Sequence, residues 1–196
     1  MPWMSGVSAP VSGKVKWPNV PACHGWLSLD RRGNWRLKGE VIRHDGLIAF
    51  INANYRPDAD GNWIFWNGPQ AVFVSLDYTP LVLRLTGPDS ITAHTGATAE
   101  KILGAFIDEE GSFLLPTPAG IGLLDDRDLP RCMDECRDRL GMPATDAALL
   151  GALAGDRGVY WRNLPLQPIL RAEVPVRFGF RSNAASGDIS SVSADR

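Results

Sequence analysis

The sequence is poor in thiols and imidazoles. Three cysteines (Cys23, Cys132, Cys136) and three histidines (His24, His44, His94) stand among 196 residues. So odd and sparse a cysteine set builds no disulfide framework and suits a reducing compartment. No apolar run approaches the roughly 18 residues that would suggest a membrane span. The opening MPWMSGVSAPVSGKVKWP also lacks the continuous apolar segment of a secretory signal. The expectation is a cytoplasmic protein with no membrane partner. Charge of one sign is scarce as well, with 20 Lys and Arg against 22 Asp and Glu. No basic field covers the chain, so nucleic acid is not the expected partner. The sequence holds no P-loop, no G-x-G-x-x-G, no H-E-x-x-H and no G-x-S-x-G elbow. These absences exclude the motif-borne routes to nucleotide, metal and acyl chemistry, and no cofactor is expected.

What is present is an ordinary globular composition, 44% hydrophobic and 21% charged. Residues 1–20, rich in Pro, Ser and Gly, read as a loosely held arm. Residues 183–196, NAASGDISSVSADR, carry few large apolar groups and read as a disordered tail. Between them lie segments of turn, strand and helix. WLSLDRRGNWRLKG reads as a hairpin in which Asp30 bonds the turn and Gly33 supplies positive φ. RHDGLIAFINANY places Leu47, Phe50, Ile51 and Tyr55 on one helical face, with His44 or Asp45 as N-cap. RPDADGN is a turn, and WIFWNG, QAVFVSL and LVLRLTG are strands. KILGAFIDEEGSFLLP is a second hairpin. DDRDLPRCMDECRDRLGMP reads as a helix capped by Asp128, ending at Gly141, with Leu129, Cys132, Met133, Cys136 and Leu140 on its stripe. TDAALLGALAG is a short extra helix, and residues 159–180 form a final set of strands.

LDRRGNW and IDEEGSF recur with the same order of residue types. Asp30 maps onto Asp108 at an offset of 78, Leu47 onto Leu129 at 82, and Trp66 onto Trp161 at 95. From there Leu81, Leu83 and Leu85 match Val176, Phe178 and Phe180 without a gap. The expected architecture is α+β, with two similar β-hairpin–helix–β-strand units (21–100 and 101–182). Each is a curled, mostly antiparallel sheet with a helix, and the two share a core.

The run CHGWLSLDRRGNWRLKGEVIRHDGLIAF resembles the opening of an uncharacterised bacterial domain-of-unknown-function family. That family shows a Cys-Gly start, an apolar strand, a D-G-x-W turn, a G-x-x-I element and an arginine before an L-x-x-F helix. The matching residues are Cys23, Gly25, Gly33, Trp35, Gly39, Ile42, Arg43, Leu47 and Phe50. A later acidic-x-Pro-apolar turn resembles Glu173 to Val176, while Asp77 to Leu81 departs by one residue and VYWRNLP meets the closing V-W-S-x-G only in part. The resemblance implies an α+β fold of repeated motifs and a ligand-binding or signalling role, with no established activity.

No catalytic constellation stands out. Cys132 and Cys136, four apart on an apolar stripe, read as core rather than as metal ligands, even with Cys23 and His24 at hand. Arg43, His44 and Asp45 stand at a helix start, where an anion is favoured. Trp63 and Trp66 lie three apart in a strand and face opposite sides, so Trp66 is free to form a pocket wall. The candidate ligand site is therefore Arg43, His44, Asp45 and Trp66, with no catalytic or metal-binding residue assigned. Asp125, Asp126 and Asp128 around Arg127 read as a capped helix start. The leading expectation is a non-enzymatic module that binds a small anionic ligand or a protein partner, in signalling. Its rivals are a hydrolase-like enzyme using His44 or His94 with a carboxylate, and a subunit of a complex.

Overall fold

The computed structural model describes residues 20–183. The expected N-terminal arm and C-terminal tail therefore lie almost wholly outside the described residues.

The fold is α+β. Strands β1 (Ala22–Leu29), β2 (Trp35–Leu37) and β3 (Glu40–Val41) precede helix α1 (Asp45–Ala53), and β4 (Tyr55–Pro57), β5 (Trp63–Asn67) and β6 (Gln70–Leu76) follow it. They form one sheet in the order β3-β2-β1-β6-β5-β4, in which only β1 and β6 run parallel. Helix α1 begins as its sequence expects, because the His44 side chain accepts the Leu47 N–H. Of its expected apolar face, Ile51 is fully buried and Leu47 packs against the core, while Phe50 stays exposed. Tyr55 has already left the helix for β4.

The remaining strands are β7 (Leu81–Leu85), β8 (Ile91–Ala93), β9 (Ala105–Ile107), β10 (Phe113–Thr117), β11 (Gly120–Leu124), β12 (Cys136–Arg137), β13 (Tyr160–Trp161) and β14 (Leu164–Pro168). Three helices stand among them: α2 (Leu129–Asp134), α3 (Asp146–Leu153) and α4 (Val174–Arg177). The second sheet has the order β12-β13-β14-β9-β10-β11-β7-β8. Its first six strands repeat the order of the other sheet: three strands, a helix, then three strands that return so that the last lies parallel to the first. Leu29 opposes Leu76 in one sheet as Ile107 opposes Pro168 in the other. Strands β7 and β8, which precede residue 101, complete the second sheet through the parallel β7–β11 pair.

Three expectations are corrected. Register sets Phe65, not Trp66, in the place of Trp161, since Phe65 opposes Tyr55 as Trp161 opposes Cys136. The gapless match slips because the β5–β6 hairpin extends beyond that pair to Asn67–Gln70, whereas β13–β14 closes at Trp161–Leu164. The helix expected to run on to Gly141 ends at Asp134, and Cys136 pairs with Trp161 in a strand instead. Its start is a 3-10 turn (Asp126–Asp128) capped by Asp125, and the Asp128 carboxylate is taken by Arg84 and the Leu85 N–H. Finally, Val174–Arg177 is a helix and not the strand that would match Leu81 to Leu85. Pro175 sits in its first turn, and Val176 is 87% exposed.

The buried residues form two clusters. One joins Leu27, Trp35, Phe65 and Val74 of the first sheet to Phe106, Leu114, Ile121 and Leu123 of the second, so the two sheets share a core. The other gathers Leu83, Phe113, Cys132, Cys136 and Trp161. Removing each such aromatic from water stabilises the fold by roughly 1.5–3 kcal/mol.

Among the described residues the turn in LDRRGNW is used four times. At Asp30, Asp58, Asp108 and Asp138 the backbone N–H bonds the carbonyl four residues on, and the glycine three residues on bonds back to the Asp carbonyl. One carboxylate oxygen of each accepts two backbone N–H groups, as Asp108 does from Glu110 at 3.0 Å and Ser112 at 2.7 Å. Glycine is required at the fourth position because φ there is positive in every case, between 78° and 81°.

Candidate functional site

The Asp30 and Asp108 turns meet. Arg31 donates to the Ser112 hydroxyl at 2.8 Å and pairs with Glu110 at 3.6 Å. Arg32 pairs with Asp126 at 2.8 Å. Arg171 pairs with the same Glu110 carboxylate, and its backbone N–H donates to Glu109 at 2.8 Å. The opposite charges at the centres of the two turns are thus complementary across the junction.

Beneath them lies Tyr78, whose hydroxyl donates to the fully buried Asp108 carboxylate at 2.7 Å. Burial first, and then the Asp108 charge, raise this phenol far above its ordinary range, so it is a fixed donor. The guanidinium groups of Arg31 and Arg171 lie over its ring at 5.1 and 4.6 Å from the centroid. Beside this stack opens a cleft of about 360 Å³, with Leu123 and Leu129 on its apolar side and Arg31, Arg32, Glu110 and Ser112 on its polar side.

The two layers differ in strength. The Tyr78–Asp108 bond is buried and charge-assisted, worth about 1.5–3 kcal/mol. The Arg31 and Arg32 side chains are 38% and 61% exposed, and surface ion pairs of this kind are worth about 0–1 kcal/mol. The ion pairs to Glu110 and Asp126 therefore add little to stability, while the frame below them is held firmly. Arg127 makes a further local clamp. Burial alone would raise the Asp125 carboxyl, but two side-chain bonds from Arg127 hold it down at about 2.

The residues expected to form a site are spread apart. Arg43, His44 and Asp45 are exposed at the start of α1, and the His44 Nδ1 is committed to the cap. The Trp66 N–H bonds the Asn54 carbonyl beyond the other end of this nine-residue helix, about 13 Å away along its axis. The side chain of Trp66 stands near Arg56, at 5.6 Å.

His94 is packed between Trp35 and Tyr55, and its Nδ1 accepts the Val82 N–H at 3.2 Å. Burial lowers it to about 4, so it is neutral at pH 7. The nearby Asp30 carboxylate is taken up by Arg32, Asn34 and Arg36 and makes no hydrogen bond to it. Cys132 and Cys136 are buried, and burial raises both thiols, Cys136 to about 11. Among the described residues no three His, Cys, Asp or Glu side chains converge as metal ligands. No helix among them is long and apolar enough to cross a membrane.

Sequence reasoning missed Arg31, Arg32, Tyr78, Glu110 and Ser112. The available signal was the charge reversal from Arg31–Arg32 to Glu109–Glu110 in matched turns, which marks a pair of surfaces able to attract one another.

Comparison with solved structures finds a DUF1285 family protein from Silicibacter pomeroyi DSS-3, 18% identical, with a TM-score of 0.50. The match covers 84% of this chain and 88% of that one. A DUF1285 family protein from Shewanella baltica OS155 is 13% identical, with a TM-score of 0.41, over 55% of this chain and 89% of that one. At such identities the first likeness is one of fold alone. No curated protein matches the chain. A family model described as "Protein of unknown function (DUF2946)" matches residues 11–185, and the chain belongs to that uncharacterised family.

Proposed function

We propose that the protein is a non-enzymatic binding module whose cleft between the Asp30 and Asp108 turns takes a small anionic ligand. One observation supports this reading: two half-exposed arginines stand over a shaped cleft, and their ion pairs to Glu110 and Asp126 are surface pairs that a ligand can replace, while Arg31 is kept in position by Ser112 and the Tyr78 ring. Arg31 and Arg32 are the anchors, Ser112 is a neutral partner, and Leu123 and Leu129 receive the apolar part of the ligand. Three buried, unpaired thiols suit the cytoplasm. A module of this kind, with a ligand cleft and no acid–base pair beside it, fits a signalling role better than a metabolic one.

The test is thermal unfolding with a panel of inorganic phosphate, dicarboxylates and nucleotides, on the natural chain and on Arg32→Ala. A ligand present at a hundredfold excess over its Kd adds about 2.7 kcal/mol. At 2–4 °C per kcal/mol this is a rise of about 5–10 °C in Tm. The rise should shrink or vanish in Arg32→Ala. No response to any anion, or an equal response in the variant, refutes the assignment.

A further inference from the structure

We infer that the surface formed by α3 and the Asp138 turn is an interface for a second copy of this chain. The inference stands on observations separate from the anion cleft. The segment between β12 and β13, which carries α3, has no counterpart between β4 and β5, where the Asp58 turn alone makes the connection. After Asp146, helix α3 is small or apolar throughout, and Ala148, Leu149, Ala152 and Leu153 pack one side of it against the core. A helix of that kind is normally covered all round. Here only Ala152 is fully buried, and Leu150 is 65% exposed.

The Asp138 turn adds to the same patch. The tips of the other three turns are Arg31–Arg32, Ala59–Asp60 and Glu109–Glu110, and each turn is docked within the chain. Arg31 bonds Ser112, the Gly61 carbonyl accepts the Arg181 N–H, and Glu109 accepts the Arg171 N–H. The tip of the fourth is Arg139–Leu140: Arg139 lies against Gly158, 3.2 Å from where a Cβ there would stand, but Leu140 is 86% exposed, with Met142 at 60%, and nothing lies within 4 Å of where a Cβ on Gly141 would stand. Leu140 and Ala148 share a cleft of about 470 Å³. Leu140 thus stands exposed at the rim of a wide depression whose other walls include Asp138, Arg139, Asp156 and Arg157.

The charges select the occupant. The cleft is lined by Asp138 and Asp156 as well as Arg139 and Arg157, so it has no net preference for an acidic or a basic partner. Asp146 opens α3, and Arg157 lies just past its end; neither makes an ion pair within the described chain. A two-fold axis across α3 sets two such helices antiparallel. It then brings Asp146 of each copy towards Arg157 of the other, with the exposed Leu150 of both copies between them. A surface that is apolar at its centre and carries opposite charges at its two ends is complementary to itself.

The experiment is sedimentation equilibrium on the full chain of 21.4 kDa. The natural chain should run at twice that mass. Leu150→Glu should run as a monomer, with Leu150→Ser as a milder second variant. Asp146→Arg and Arg157→Asp should each weaken association by about tenfold or more, and the two changes together should restore it. Thermal unfolding of each variant checks that the fold is intact, as expected for exposed positions. A natural chain that stays at 21.4 kDa overturns the proposal. So does a dimer indifferent to Leu150→Glu, or a paired reversal that fails to restore it. Capture of a different protein by a monomeric natural chain would assign the surface to another partner and equally overturn it.

Discussion

Gly33 and Gly141 occupy the same place in two copies of one turn, both at φ 78°. Replacing each by alanine separates backbone strain from docking. An L-residue in this left-handed region costs roughly 1–2 kcal/mol, and both variants bear that cost. At Gly141 the new methyl group meets nothing within 4 Å. At Gly33 it would stand 2.7 Å from the His94 Cβ and 3.4 Å from the Val82 Cβ. His94 has little room to yield, because its N–H bonds the Val82 carbonyl and its Nδ1 holds the Val82 N–H. Overpacking of this kind adds about 1–3 kcal/mol. The expected losses are therefore about 1 kcal/mol for Gly141→Ala and about 3 kcal/mol for Gly33→Ala. In Tm these are about 2–4 °C and 6–12 °C. Urea unfolding followed by tryptophan fluorescence reads both losses, and m should not change. Equal losses within about 0.5 kcal/mol would refute the claim that the turns share one backbone and differ only in what they dock against.

Other outcomes follow from the same structure. Tyr78→Phe leaves one oxygen of a fully buried carboxylate without its donor and should cost about 2 kcal/mol, whereas Tyr55→Phe, which loses a bond to the neutral Pro80 carbonyl, should cost about 1 kcal/mol in the same unfolding assay. His94 is held at about 4, below its ordinary 6.5, so between those values the unfolded chain takes up a proton that the folded chain refuses. Its contribution is intact above pH 6.5 and is lost as pH falls towards 4, up to about 3 kcal/mol, and the urea midpoint of His94→Gln should fall less over that window. The Asp125 contribution is present above about pH 4 and is lost as pH falls towards 2. Removing its partner with Arg127→Ala should raise the Asp125 titration midpoint seen by carboxyl NMR, and an unmoved midpoint would contradict the role given to Arg127.

Features that depend on neighbours in sequence were legible. The His44 cap and the Leu47–Ile51 spacing gave α1, and the Asp-to-Gly spacing gave the hairpins. The Asp138 turn carries the same spacing but was hidden inside an apparently helical stripe. Cys136 is a strand residue only because Trp161, far along the chain, offers it a ladder. Val174 to Phe180 alternates like a strand, yet Pro175 suits a helix start better than a sheet interior. The cleft was less legible still. Arg31 meets Ser112 across 81 residues, and no local rule says that two similar turns should face one another. The charge reversal between them was visible, but the arginines and glutamates read alone as solvated tips. The helix-start candidate failed to gather for a related reason. Strand β5 delivers Trp66 to the far end of α1 from His44, and only the β4–β5 register determines that.

Native mass spectrometry of the full chain purified from its own host tests the central claim most directly. The account predicts a small anion retained by the natural chain and absent from an Arg31→Ala, Arg32→Ala double variant prepared in the same way. A natural chain recovered bare, or the same adduct on the double variant, would contradict it.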